Sequence, residues 1–116
     1  MTHMDRRALA LQREIERIKK ELAGLGDLRP GSLSRQYNVC GKPGCRCKAS
    51  PPQKHGPYYQ VSYTRKGRSG SMFVRGEQVK QVRQQLKNYT ELRRLVDRWI
   101  EAGAELSTFR LGQEKG

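Results

Sequence analysis

Three cysteines and one histidine near the middle of the chain have the residue types and spacing to bind a metal ion. Cys40, Cys45 and Cys47 follow a C-x4-C-x-C pattern, and His55 comes eight residues later. Three sulfur donors and one imidazole nitrogen form a ligand set typical of closed, tetrahedral structural zinc sites. The pattern therefore predicts a structural Zn²⁺ ion held by these four side chains.

The residues between the candidate ligands favour turns that would bring the ligands together. Pro43-Gly44 suits the central positions of a type II turn, because proline fixes its φ angle and glycine accepts a positive one. Such a turn would bring Cys40 back toward Cys45. The Ser50-Pro51-Pro52 loop would then return the chain to His55, so that the ion clamps this loop to the segment that follows.

Other interpretations of these residues stay open at this stage. A redox role is one, because neighbouring lysines and arginines would lower the pKa of the thiols. Lone cysteines also serve as small buried hydrophobic residues. His3 is a weaker candidate for the fourth ligand, since it precedes a helix. An enzyme is not expected, because residues 29–75 contain no Asp or Glu to transfer protons.

Positive charge is concentrated in the same part of the chain. The formal net charge is +13, and residues 29–75 carry ten Lys and Arg, whereas both flanks are nearly balanced. Charge concentrated in this way attracts polyanions. We therefore predict a nucleic-acid partner, with duplex DNA favoured over RNA, and solubility alone is the alternative. The predicted contacts are basic side chains of the loop over residues 40–54, called the metal loop here, and of the hairpin and its end: Lys42, Arg46, Lys48, Arg65, Lys66, Arg68 and Arg75.

Two amphipathic helices are expected to flank this segment. In residues 1–28, apolar side chains recur at alternating spacings of three and four, the heptad pattern of a coiled coil: Ala8, Leu11, Ile15, Ile18, Leu22 and Leu25. Residues 76–104 repeat the pattern. The helices are expected to pair, either antiparallel within the chain or between two copies in a homodimer. Residues 105–116 are predicted to form a flexible tail.

The segment between the helices, residues 29–75, is predicted to contain a β-hairpin. Residues 59–64 alternate apolar and polar side chains, as in a half-buried strand, and residues 69–74 would return after a turn at Gly67. Residues 32–39 fit either a third strand or a short helix. The predicted fold class is α+β: a small zinc-stapled hairpin module between two long heptad-patterned helices.

The layout of residues 31–100 resembles that of a group of short prokaryotic and phage proteins that have no assigned activity. They share a helix, the C-x4-C-x-C cluster, the HGPYY sequence of residues 55–59 and a basic helix. The resemblance implies a common metal-stapled fold. In addition, the run Gly44-Cys45-Arg46-Cys47-Lys48 is similar to the start of the cysteine-rich CXC repeats of some eukaryotic DNA-binding proteins, which have many more cysteines and bind several zinc ions.

Together these observations predict a small basic zinc protein that binds nucleic acid. The alternative is an accessory subunit that docks a larger nucleic-acid enzyme or assembly through its heptad helices. Tyr58 and Tyr59 have two interpretations: stacking on unpaired bases, or, as we favour, Tyr59 and Tyr63 in the core with Tyr58 at a polar edge. The absence of a long apolar run predicts a cytoplasmic protein without a membrane segment.

Overall fold

A computed structural model describes residues 2–114 of the protein. Its elements follow the order α1 (His3–Ala23), β1 (Ser32–Asn38), a 3-10 helix (Arg46–Lys48), β2 (His55–Arg65), β3 (Arg68–Val74), a second 3-10 helix (Gly76–Gln78) and α2 (Val79–Glu114). The predicted α+β class is therefore confirmed. In the described part of the chain, no helix is both long and apolar enough to cross a membrane.

The chain consists of two compact units. The helical unit contains residues 1–27 and 88–116, and the sheet unit contains residues 28–87. The first nine residues of α2 belong to the sheet unit, because they pack on the buried face of the sheet. The segment boundaries drawn from the sequence at residues 28 and 76 mark the ends of elements rather than compact units, and they stay predictions.

The three strands form one antiparallel sheet in the order β1-β2-β3. The predicted hairpin is β2–β3, and it closes with the turn Lys66-Gly67, whose φ angles are 52° and 75°. Two positive φ angles are the mark of a type I′ turn, whose twist matches that of the strands. Residues 32–38 form a third strand, because their backbone pairs with residues 55–62 of β2.

One face of the sheet is buried. Val61 and Val74 are almost inaccessible to solvent and pack against Val82 of α2. Leu33 and Met72 lie partly buried at the margin of this cluster. Three buried valines make a small core for a unit of 60 residues, so the sheet unit has limited apolar stabilisation of its own.

An apolar cluster and two ion pairs hold the helical unit together. Leu11 and Ile15 of α1 form a buried cluster with Ala102 and Leu106 of α2. The three buried residues of α1, Leu11, Ile15 and Ile18, thus all lie on the seam that the heptad pattern predicts. The ion pairs join the two helices in opposite order along the chain, Arg7 with Glu105 and Glu14 with Arg98. A coiled coil between two copies of the chain stays a prediction.

The helix α2 is longer than the sequence indicated. We predicted a helix ending near Gly103 and a flexible tail over residues 105–116, but α2 continues to Glu114, and residues 115–116 lie outside the described range. The helix continues through Gly103, although a glycine in a helix interior costs about 1 kcal/mol relative to alanine. Leu106 is buried and Phe109 packs against the cluster with α1, and this packing offsets the cost.

Candidate metal centre

Backbone hydrogen bonds shape the loop that carries the three cysteines. The N–H of Cys45 donates to the carbonyl of Lys42 at 3.4 Å, and Gly44 has a φ angle of 76°. This is the hydrogen bond and the glycine conformation expected for a type II turn centred on Pro43-Gly44. A turn of 3-10 helix follows and buries Cys47 completely.

A second set of backbone contacts returns the chain toward the ligands. The N–H of Gln53 donates to the carbonyl of Arg46 at 3.0 Å, which closes the Ser50–Pro52 loop. His55 then begins β2. The histidine is therefore carried by the sheet and the cysteines by the loop, so a shared ion would tie the two together.

The four candidate ligand side chains converge on one point. Their ligand atoms all lie within 4.8 Å of one another. The Sγ atoms of Cys40 and Cys47 are 3.6 Å apart, and the Sγ of Cys45 is 3.2 Å from the Nε2 of His55. Zn–S bonds of about 2.3 Å and Zn–N bonds of about 2.0 Å place tetrahedral neighbours roughly 3.5–3.8 Å apart. The cluster therefore fits a metal ion, and His3 is not part of it.

Hydrogen bonds and burial shift the ionisation of all four groups. The backbone N–H of Lys42, followed by the His55 ring, lowers the pKa of Cys40. The backbone N–H and then the thiol of Cys47 lower the pKa of Cys45 to about 6. Burial raises the pKa of Cys47, and hydrogen bonds to Cys40 and Cys45 raise the pKa of His55. Two of the three thiols are thus shifted toward the thiolate that a metal requires.

The seven predicted nucleic-acid contacts are all exposed, and the structure places most of them in two groups. Lys42, Arg46 and Lys48 lie on the metal loop, where the Nζ of Lys48 donates to the carbonyl of Lys42 at 3.0 Å. Arg65, Lys66 and Arg68 form the hairpin tip, where the two arginines are opposite each other in register. Arg75 follows β3 and belongs to neither group.

The two basic groups lie at opposite ends of β2. The strand runs from His55 beside the metal loop to Arg65 at the hairpin tip. At about 3.3 Å per residue, ten steps separate these ends by roughly 33 Å. They are therefore two separate contact points rather than one continuous patch.

A third basic group lies on α2 and is not among the predicted contacts. Lys80, Arg83 and Lys87 of α2 line a cleft of about 520 Å³ beside Tyr59. Their spacing of three and four residues places them along one side of the helix, and this was the signal that could have identified them. Two arginines further along α2 differ from this group, because Arg94 pairs with Glu91 and Arg98 pairs with Glu14 and Glu101.

The comparison with known families matches most of the described chain. Residues 8–84 match a domain of unknown function, DUF6788. The chain belongs to the DUF6788 family. The matched range of this DUF6788 protein includes the four candidate ligands and the whole sheet, while α2 beyond residue 84 lies outside it. No curated protein and no solved structure gives a significant match. Zinc binding and the relationship to prokaryotic and phage proteins stay predictions.

Proposed function

We propose that this DUF6788 protein binds nucleic acid through its sheet unit and that a structural Zn²⁺ ion holds the metal loop in place. The observation that carries the proposal is the charge of the sheet unit. Residues 28–87 contain 13 Lys and Arg and a single acidic residue, Glu77. None of these basic side chains forms an ion pair in the described part of the chain. Unpaired positive charge of this density favours binding to phosphates.

The chemistry of the donor set supports zinc as the ion. Three thiols and an imidazole would fill the four positions of a tetrahedral Zn²⁺ site and leave none open for a substrate. Residues 29–75 contain no carboxylate that could act as a general base beside such an ion. We therefore propose a structural ion and a binding protein rather than an enzyme.

The zinc proposal is tested by elemental analysis and cobalt substitution. Protein purified without chelator is expected to contain one zinc per chain. Replacement by Co²⁺ is expected to produce the visible absorption bands of a tetrahedral cobalt–thiolate site. His55→Ala should weaken metal binding, whereas the control His3→Ala should leave it unchanged, because His3 lies outside the cluster. A metal-free wild-type protein that cannot be loaded would refute the proposal.

The nucleic-acid proposal is tested by fluorescence anisotropy at several salt concentrations. Zinc-loaded protein is titrated into labelled duplex DNA, single-stranded DNA and RNA of mixed sequence. Each phosphate contact contributes about 0.7–0.9 to the slope of log affinity against log salt. We expect a slope that corresponds to several contacts. Failure to bind any of these three nucleic acids at low salt would refute the proposal.

Matched triple variants localise the contacts. Arg65→Gln, Lys66→Gln and Arg68→Gln together remove three charges from the hairpin tip of the sheet unit and are expected to lower affinity at least tenfold and to reduce the salt slope. Arg6→Gln, Arg13→Gln and Arg17→Gln together remove three exposed charges from the helical unit and serve as the control. The control should change affinity less than twofold. Equal losses in the two triple variants would show that the hairpin tip is not a specific contact for nucleic acid.

The exposed apolar residues of the helical unit support a second candidate function. Ile100 and Leu111 are 62% and 57% exposed, and Leu111 lines a cleft of about 390 Å³ together with Trp99. Such side chains suit docking to a larger nucleic-acid enzyme or assembly, or to a second copy of the chain. Ile100→Lys would abolish either association while leaving nucleic-acid affinity unchanged. Light scattering of the isolated wild type identifies the homodimer.

A further inference from the structure

The sheet has a second face, called the open face here, that points away from the buried valines. It comprises the even-numbered positions of β1 and β2 over residues 32–36 and 58–64, and the odd-numbered positions of β3 over residues 69–73. Contacts between these side chains, one across two strands and one within β1, confirm that they share one face. The hydroxyls of Thr64 and Ser69 are 3.1 Å apart, and the side chains of residues 34 and 36 contact each other.

The composition of the open face is unusual for this unit. Two of its ten side chains are aromatic, and the other eight carry hydroxyl or amide groups, so none is charged. Charged residues are common on exposed sheet faces, and the sheet unit is rich in Lys and Arg. The open face is therefore a neutral strip in a strongly basic unit.

The two aromatic residues lie together and are accessible to solvent. Phe73 is 65% exposed and Tyr58 is 36% exposed, and their ring centroids are 6.2 Å apart at an interplanar angle of 49°. Phe73 alternates along β3 with Met72 and Val74, which supply the core cluster. The apolar core on the other face thus does not use Phe73, and the fold itself leaves its exposure unexplained.

Charge at both ends of the open face indicates its occupant. The metal loop carries one basic group at the His55 end of β2, and the hairpin tip carries the other at the Arg65 end. A single strand of nucleic acid has phosphates that suit both groups and unpaired bases that stack on aromatic side chains. The hydroxyl and amide groups between them can hydrogen-bond the edges of those bases.

We propose that the open face binds the unpaired bases of single-stranded nucleic acid, with Phe73 and Tyr58 as the stacking surface. The inference rests on the proposed function and names its ligand class. It revises the preference for duplex DNA drawn from the sequence, because bases in a duplex are already stacked on each other. Tyr59 packs, partly buried, against Val61 and Val74 as the sequence predicted, whereas Tyr63, predicted to lie in the core, is 36% exposed.

Aromatic replacements that keep every charge test the proposal. Zinc-loaded wild type and variants are titrated into a labelled 16-mer as single-stranded DNA, single-stranded RNA and duplex DNA. Phe73→Leu is expected to weaken binding to both single strands about five- to tenfold. Affinity for duplex DNA should change less than twofold, and the salt slope should stay the same, because no charge is removed. Phe73→Trp keeps a stacking surface and should restore single-strand affinity.

A stacking probe and a matched control complete the experiment. An oligonucleotide containing 2-aminopurine reports stacking directly, since its fluorescence is quenched by a stacked ring, and Phe73→Leu should reduce that quenching. Trp99→Leu, in the helical unit, removes an aromatic side chain that is as exposed as Tyr58 and should have no effect. Zinc content and circular dichroism verify that each variant is folded.

The outcomes separate this inference from the proposed function. A folded Phe73→Leu variant that binds single strands as tightly as the wild type overturns the stacking role, while nucleic-acid binding by the basic groups stands. The same holds if the single-strand and duplex affinities fall equally. If the wild type binds none of the three ligands, the proposed function fails and the inference fails with it.

Discussion

The helical unit and the sheet unit use their positive charge in different ways. The helical unit contains 11 Lys and Arg and 10 Asp and Glu, and all five ion pairs of the described chain lie within it. The sheet unit contains 13 basic residues, one acidic residue and no ion pair in the described structure. Of the net charge of +13, the sheet unit therefore carries +12. In one unit the charges support the fold, and in the other they are left available to a ligand.

The two units also differ in how their folds are stabilised. Leu11, Ile15 and Leu106 give the helical unit a core of long aliphatic side chains. The buried core cluster of the sheet unit consists of three valines. Small domains with little apolar core commonly depend on a metal or on disulfides. Because the three cysteines are free and converge with His55, the metal centre is the stabilising element expected here.

Metal removal should give the largest effect and distinguish the units most clearly. Structural zinc contributes on the order of 10 kcal/mol in small metal-dependent domains. Chelation, or Cys47→Ser in the buried ligand, is expected to collapse the amide NMR signals of residues 28–75, while the signals of α1 persist. Readdition of zinc should restore the wild type. Signals of both units that survive chelation unchanged would contradict the division of roles.

Truncation of the helical core should destabilise the helical unit and leave the metal centre intact, the reverse of metal removal. Leu11 is completely buried, and Leu11→Ala is expected to reduce the free energy of unfolding by about 2–5 kcal/mol. Metal affinity should be unchanged, because the ligands lie in the sheet unit. Urea denaturation followed by helical circular dichroism measures the loss. Leu9→Ala, at a site that is 37% exposed, is the control and should cost much less.

Acidification should weaken the helical unit through its carboxylates. The hydrogen bond from Arg98 lowers the pKa of Glu14, so ionised Glu14 stabilises the folded state above the ordinary Glu pKa. That contribution is lost as the pH falls below about 4.5 and through the lowered pKa. Glu14→Gln should therefore flatten the stability profile between pH 6 and pH 3, and a profile as steep as that of the wild type would contradict it. Glu16→Gln, which removes a single 3.4 Å contact with Lys19, is the control.

The smallest effect is expected at the hairpin turn, where stability and binding should change in opposite directions. Lys66 has a φ angle of 52°, which costs a non-glycine residue about 1 kcal/mol and favours Asn in a type I′ turn. Lys66→Asn should raise the free energy of unfolding by about 0.5–1 kcal/mol. It should also weaken nucleic-acid binding modestly, because it removes one charge. If thermal denaturation shows no gain, the turn is not strained.

Several features were accessible from local sequence because they depend on short-range rules. The spacing of the cysteines and the turn at Pro43-Gly44 predicted the convergence of the ligands. Alternation in residues 59–64 predicted the hairpin, and the heptad spacing predicted the buried side of α1. Each of these follows from the periodicity or turn preference of a few neighbouring residues.

Other features depend on contacts between residues that are distant in sequence. Gly103 predicted the end of the second helix, but α2 continues past it. The packing of Leu106 on α1 explains why, and that contact cannot be read from neighbouring residues. Arg98 and Arg83 look alike along the chain, yet one meets Glu14 across 84 residues and the other lines a cleft. Local propensity cannot report such pairings, because the partner is brought close only by folding.

By itself, therefore, the sequence determined the four candidate ligands, the basic character of residues 29–75 and the type of most elements, since these depend on composition and short spacings. The tertiary structure alone decided which positive charges are neutralised and that Phe73 and Tyr58 meet on a neutral, solvent-exposed face. Strand register and helix packing determine both, because the exposure and the pairing of a side chain depend on the neighbours that the fold brings to it.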